Sequence, residues 1–413
     1  MQIHKKNSLF ALSCVVFVTA SSCFGGSPFV IDVATSGPGA PPEIVVGASN
    51  LKNFLNDLIN AQGQYGAISG FAYAEKTTFL GVGNAITFTG NSPGTTVTLA
   101  IPVIGFSQTF TGATRSDVET QIHDFIKQNG NNVWAAFLSA LAKQSPNAVT
   151  DGNPNAATGT MANSTFLAEG FTPVDEILPE DPMSSPRLSG FGLGFDAGQF
   201  TAAGLSGQLV DFAIPARWKL SDKVGLTLNI PFDYMTLEGA KIYGAGFNLA
   251  VPIRLESMNK EKPLNWRVTP LLGTAARASP DLASGVALWQ IGLSNSLDYR
   301  VNSKLVVCMV NQLTDYHSFK VSYGGYSFDP EVKQLILKDG LRVVSPLTQR
   351  LIGSFFVLDS RFLNQAAVKQ FTTVGGSLAY HVTKTMDLQL AANYDTGTAF
   401  KSWTVGLASA WKY

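Results

Sequence analysis

The chain has 413 residues; 45 % are hydrophobic, only 14 % are charged, 11 % are aromatic, and 39 are glycine. That charge fraction lies well below the roughly 25 % of an average soluble domain, and so apolar a chain is not a disordered one. Three cysteines are too few for a disulfide scaffold, and 29 basic against 29 acidic residues leave no global field to recruit nucleic acid.

Lys5 and Lys6 precede an apolar run from Leu9 to Ala20, followed by Ser21 and Ser22. A run of this length falls short of the ~20 residues a membrane helix needs, and the layout is that of a secretory signal peptide over residues 1–22. Val18-Thr19-Ala20 suits ordinary cleavage. Ala20-Ser21-Ser22-Cys23 also resembles a bacterial lipobox, which makes Cys23 a possible lipidation site. No later segment reads as a membrane helix.

Residues 27–184 read as an α+β domain, periplasmic or plug-like. Asn50 caps a helical stripe of Leu51, Phe54, Leu55 and Leu58. Strand-like runs follow at Ile68–Ala74, Thr78–Thr89 and Thr95–Phe110. Ser116 and Glu119 form a capping-box pattern ahead of Val118, Ile122, Phe125 and Ile126. A third helix is predicted through Val133, Trp134, Phe137, Leu138 and Leu141. Ser145–Asn163 reads as loop and Val174–Pro182 as an acidic linker. Charge divides at the same boundary: residues 27–184 carry a net of −8, residues 185–413 a net of +6. The acidic part could therefore dock on or inside the basic part, or the two surfaces could simply differ.

From Leu188 onward, apolar and small or polar residues alternate at period two. In one run Val224, Leu226, Leu228, Ile230, Phe232 and Tyr234 interleave with Gly225, Thr227, Asn229, Pro231 and Asp233. In the last run Trp403, Val405, Leu407, Ser409, Trp411 and Tyr413 interleave with Thr404, Gly406, Ala408, Ala410 and Lys412. One face of each strand is then apolar and the other is not. Soluble strands cluster near 5–6 residues, whereas these runs match the ~9–11 of a tilted membrane-crossing strand. Five of the six tryptophans lie in this half, most near predicted strand ends, where interfacial girdles form. Twelve strands are predicted, near 188–200, 208–220, 224–237, 240–256, 265–277, 285–301, 304–317, 341–349, 351–362, 367–383, 386–395 and 402–413. Residues 318–340 are predicted as a long loop with a short helix through Pro330, Val332, Leu335 and Ile336, ended by Gly340.

The end from Trp403 to Tyr413 resembles the terminal strand of bacterial outer-membrane β-barrel proteins. The resemblance covers roughly residues 185–413. It implies an all-β transmembrane antiparallel β-barrel, placement in the outer-membrane lipid of a Gram-negative-type bacterium, and recognition by the barrel-assembly machinery through the strand ending in Tyr413. It points first to a passive or gated pore for small polar solutes, with Arg217, Lys219, Arg254 and Arg300 as lumen charges favouring anions. A second resemblance is to autotransporter-type translocators, in which the barrel anchors or displays the N-terminal domain. A third is to long-chain fatty-acid transporters, for which Asn153-Pro154-Asn155-Ala156 is a faint match.

Enzyme chemistry has little to work with. The four histidines, His4, His123, His317 and His381, form no metal or nucleophile motif, and no cofactor motif is present. His317 beside Ser318 fails as a catalytic pair because strand neighbours point to opposite faces. Asp151-Gly152-Asn153-Pro154-Asn155 lacks calcium-loop spacing and reads as a turn, and Asp175, Glu176, Glu180 and Asp181 read as a solvated linker. Pro215, Pro231 and Pro252 fall on the small, polar face of successive strands, with Pro270 in the next. Each should mark a bulge; the sharper alternative is a weakened seam in the wall that lets a ligand leave sideways.

Overall fold

The computed structural model describes residues 26–412, apart from residues 38, 41–42, 51–70, 92–94, 171–189, 259–261, 324–325 and 384. The signal-peptide reading, Cys23, the helix after Asn50, the acidic linker and Tyr413 lie outside the described residues.

A small sheet comes first. Strands β1 (Phe29–Ser36), β2 (Ile44–Ala48), β3 (Ala72–Phe79), β4 (Val82–Gly90), β5 (Thr96–Ile101) and β6 (Phe106–Thr111) lie in the order β2-β1-β3-β4-β5-β6. Two of the predicted runs are hairpins, not single strands. Leu80 (φ 51°) and Gly81 (φ 83°) turn the chain within Thr78–Thr89. Pro102 and Gly105 (φ 64°) turn it within Thr95–Phe110, since proline withholds a ladder donor and glycine admits the left-handed conformation.

One helix, α1 (Arg115–Ala142), replaces the two predicted. Its cap is Thr114, whose hydroxyl accepts from the Asp117 amide while the Asp117 carboxylate accepts from the Thr114 amide. The reciprocal box therefore lies two residues before the expected Ser116/Glu119 pair. Gly130 does not break the helix, because the Phe137, Leu138 and Leu141 stripe beyond it is buried and keeps it docked. Among the described residues no helix is long and apolar enough to cross a membrane. A second helix, α2 (Ala157–Thr165), continues as a π-helical turn, Phe166–Gly170. It lies in what reads as loop, because Ala, Gly and Thr carry no amphipathic stripe; six of its nine residues are buried, so packing rather than propensity holds it.

The rest is strand: β7 (Gly190–Ala202), β8 (Leu205–Lys219), β9 (Gly225–Leu237), β10 (Ala240–Ala250), β11 (Ile253–Glu256), β12 (Leu264–Ser279), β13 (Ser284–Asn302), β14 (Leu305–Ser318), β15 (Val321–Tyr323), β16 (Tyr326–Phe328), β17 (Lys333–Pro346), β18 (Leu351–Phe362), β19 (Gln370–Thr383), β20 (Met386–Gly397) and β21 (Phe400–Lys412). Each pairs antiparallel with its neighbour, β21 pairs with β7, and β10 and β11 pair in turn with β12. Counting β10 and β11 as the two halves of one wall strand, and setting aside the small β15–β16 hairpin, the result is a closed barrel of twelve strands. The predicted loop-helix over 318–340 is corrected. Lys333–Gly340 extends β17, because Gln334, Ile336 and Lys338 face inward while Leu335, Leu337 and Leu341 alternate with them.

Outside, the barrel carries the belt the alternation predicts. Leu193, Phe232, Leu272, Ile291, Phe355 and Leu407 are among many large apolar side chains more than 36 % exposed. Aromatic rows bound it: Trp266, Tyr299, Tyr380 and the stacked pair Phe191–Trp411 at one end, and Tyr234, Tyr243, Trp289, Tyr394 and Trp403 at the other. Eight residues separate Trp403 from Trp411, which at ~3.3 Å per residue and ~40° tilt is roughly 20 Å. A surface of this kind is stable only against hydrocarbon, so the barrel is of the outer-membrane type.

Candidate functional site: the lumen and its plug

β7 begins and β21 ends at the same end of the barrel, here the near end. The small sheet and α1 lie at the other, far end. There Phe29, Phe79, Leu80, Phe137, Leu138 and Leu141 share one buried apolar cluster with rim residues, among them Phe200, Leu205, Ile242, Leu282, Phe362 and Phe400. Polar contacts fix the seat. The Trp134 indole donates to the Ala283 carbonyl (2.7 Å), and the Asn147 amide to the Ala202 carbonyl (2.9 Å). Ser145 donates to the Leu80 carbonyl (2.6 Å).

From there the chain descends inside the barrel. The Val368 amide donates to Gly152 (2.9 Å) at the far rim. Asp151 accepts from Thr158 (2.6 Å) and from Gln334 (3.2 Å), so the calcium-like loop is a turn bound to the wall. Arg277 donates to the Asn155 carbonyl and to Thr160 (3.1 Å), and pairs with Asp233 (2.8 Å). Lower down Lys338 donates to Asn163, and Gln290 to Thr165 (3.2 Å). Phe166, fully buried, packs among Met258, Val306, Cys308, Val310, Val344 and Ile352. Gly170 accepts from Arg267 (3.5 Å), three residues from the near end of β12. Fourteen helical residues at ~1.5 Å each give about 20 Å of descent, most of the height of the belt.

The wall is uneven. β7 to β10 turn a row of small residues inward, among them Gly192, Gly194, Ala213, Pro215, Pro231 and Gly246, and beside them remains a cavity of about 550 Å³ between wall and plug. Asp196, Asp211 and Asp233 stand directly opposite one another on β7, β8 and β9 and all line it. Like charges in register cost stability unless space or counter-charge relieves them. Arg277 answers Asp233, and glycine gives the space: a methyl at Gly406 or Gly244 would collide with the carboxylate of Asp196 or Asp233. In the near half, β14, β17 and β18 turn Val306, Cys308, Val310, Val344, Ile352 and Phe356 inward around Arg342 and Ser354, so the expected polar lumen holds for only part of the wall.

The four basic residues expected in the lumen lie toward the near end of the wall, and Arg217 also lines the cavity. Arg217 pairs in register with Gly190, the first residue of β7. Lys219 ends β8 and bridges to Asp222 (2.8 Å). Arg254 lies on β11 and donates its amide to Lys223 (2.7 Å), and Arg300 donates its amide to Pro263 (2.8 Å) in the adjoining connection. Sequence reasoning missed Asp211, Asp233, Arg277 and Lys338. The signal was there, since each is a charge on the inward parity of a long strand. Among the described residues no group of three or more His, Cys, Asp or Glu could hold a metal ion.

No family model and no curated protein matches the chain. Solved structures similar to it include outer-membrane barrels. The translocator domain of the autotransporter NalP from Neisseria meningitidis is 12 % identical (TM-score 0.44), covering 63 % of this chain and 98 % of that one. An outer-membrane channel from Pseudomonas putida F1 is 12 % identical (TM-score 0.43), covering 59 % and 100 %. The transport unit of the autotransporter AIDA-I from Escherichia coli is 9 % identical (TM-score 0.40), covering 62 % and 97 %.

Proposed function

We propose that the barrel is a self-plugged anchor that presents the N-terminal sheet and α1 at the cell surface. One observation carries this reading. The chain passes through its own barrel, from a domain seated on the far rim, down α2, to the near end where β7 begins. The longest described connection, 319–332, is also at the far end, and barrels of this class carry short turns on the periplasmic side and longer loops outside. The far end is then the outer one. Lys76, exposed on β3, is a convenient reporter. With cysteine there, intact cells should be labelled by a membrane-impermeant maleimide. Labelling that requires lysis would place the domain in the periplasm and end the proposal.

The cavity and the acidic wall beside it favour a second reading, a gated pore for small polar solutes whose gate is the plug. In planar bilayers a protein lacking residues 27–184 should conduct where the full chain does not. Silence from both forms would leave the anchor alone.

A further inference from the structure

Prolines interrupt one arc of the barrel without bulging it. The β7–β8 ladder skips the Gly192–Pro215 and Leu193–Ile214 pairs, yet runs in one register from Phe191–Ala216 to Gly194–Ala213. The β9–β10 ladder skips Gly246–Pro231 and Phe247–Ile230, again with no change of register between Ala245–Phe232 and Asn248–Asn229. A third lapse separates β10 from β11 at Val251 and Pro252, opposite Pro270, with the register of Ala250–Leu271 resumed at Ile253–Val268. The expected bulges are absent because no residue is inserted; what is lost is the proline N–H. Each of three prolines rests on a glycine. A methyl at Gly192, Gly246 or Gly225 would lie 3.2, 3.1 or 3.1 Å from the Cγ of Pro215, Pro231 or Pro252. The β8–β9 hairpin stays paired within itself through Pro215–Asn229 and Ala213–Pro231. It is thus a panel with a lapse on either side, at one height.

Behind this panel is the cavity of about 550 Å³, a volume suited to one small molecule. Its lining includes Pro215, Pro231 and Gly246, and also Leu193, Phe212 and Phe232, whose side chains are exposed on the outer, lipid-facing surface. Only one layer of backbone therefore parts it from lipid. Asp196 and Asp211 face it, and the one cation acting on Asp211, Arg277, is already paired with Asp233. Asn229, 3 % exposed, lines it too, and its Oδ1 has no partner. Arg217, Arg277, Lys338 and Arg342 line the cavity too, but on the panel and its β7 neighbour Asp196, Asp211 and Asn229 all offer acceptors, so the head they suit is a positively charged donor.

We infer that the β8–β9 panel is a side entrance from the bilayer to the lumenal cavity, which takes a single-chain amphiphile with a protonated amine head, the head on Asp196 and Asp211 and the tail toward the lapses. This is independent of which end faces the cell exterior. The test uses the full chain in phosphatidylcholine nanodiscs with a diazirine-tagged dodecylamine, mapping the crosslinks by mass spectrometry. Saturable labelling within residues 205–237 is expected. Labelling should fall at least about tenfold in D196N/D211N, the equivalent of losing a charge-assisted hydrogen bond. It should fall likewise in L193C/I214C when oxidised, return on reduction, and be correspondingly weak with a chain-matched alkyl sulfate. Heat-modifiable gel migration of each variant shows that the barrel has folded. Equal labelling by the sulfate, or labelling indifferent to either the oxidised pair or the loss of the carboxylates in folded protein, overturns the inference.

Discussion

Glu75 is a carboxyl on the inward face of β3, in register with Val33 on one side and Phe88 on the other. Burial pushes it up to about 7 from about 4.5. The sign follows from proton counting. Between those two values the unfolded chain has released the proton and the folded domain still holds it, so stability falls as pH rises through the window and levels off above it. The span corresponds to about 3 kcal/mol. Glu75→Gln should remove that slope and leave the sheet more stable at pH 8, read as hydrogen-exchange protection of β1 and β3 corrected for intrinsic rates. Leu80 is a second residue with an unusual task. It holds a left-handed φ of 51° in a two-residue turn, a conformation that leucine rarely adopts, yet it is 0 % exposed in the cluster that seats the domain on the barrel. Leu80→Ala should cost about 2–4 kcal/mol at that seat, and earlier proteolytic release of the domain on heating would show it.

Among the elements, the plug depends on few polar contacts for its length, and Arg277 is the busiest of them. Its side chain is 2 % exposed and serves both Asp233 and the plug backbone. Arg277→Met leaves Asp233 without its cation and frees the Asn155 carbonyl. Losing one partner of a buried pair costs about 3–5 kcal/mol. The variant should therefore show flickering conductance in planar bilayers while its heat-modifiable band persists; a silent variant would mean that the plug is held mainly by Phe166 and its neighbours. The barrel strands were legible in the sequence because lipid outside and lumen inside impose strict alternation on Val224–Tyr234 and Trp403–Trp411. α2 was not, because a helix buried on nearly every side needs no stripe; Ala157, Thr158, Gly159 and Met161 are all buried. Lys333–Gly340 misled for a related reason. Val332, Leu335 and Ile336 match helical spacing by chance, and only the inward burial of Lys338 reveals the strand. The prolines were legible as an anomaly, but whether they insert a residue or merely omit a donor depends on register, which one strand's sequence does not carry.

At the scale of the whole molecule, domain and barrel are one folding unit at the far rim and two chemistries elsewhere. The belt of leucine, isoleucine and phenylalanine commits residues 190–412 to lipid, whereas the sheet and α1 close over a core of their own, with Val97, Leu99, Phe110 and Val118 buried together. Removing residues 27–184 therefore uncovers the apolar rim formed by Phe200, Leu205, Ile242 and Phe362. The truncated barrel should still shift on heat-modifiable gels but melt at a lower temperature than the full chain, a difference that differential scanning calorimetry in detergent would measure.

A domain on one side of a closed ring, joined to that ring by a strand of itself running through the hole, is a bead threaded on its own cord. Six strands with a 28-residue helix across them make too broad a knot to slip back through an opening already filled by one helix. Assembly must then be ordered in time. Either the N-terminal portion crosses as an uncoiled thread and folds after arrival, or the last hydrogen-bonded join, β21 to β7, is made around it. Once both steps are complete, pulling the domain outward only wedges it, and release requires a cut in the thread or the reopening of the ring.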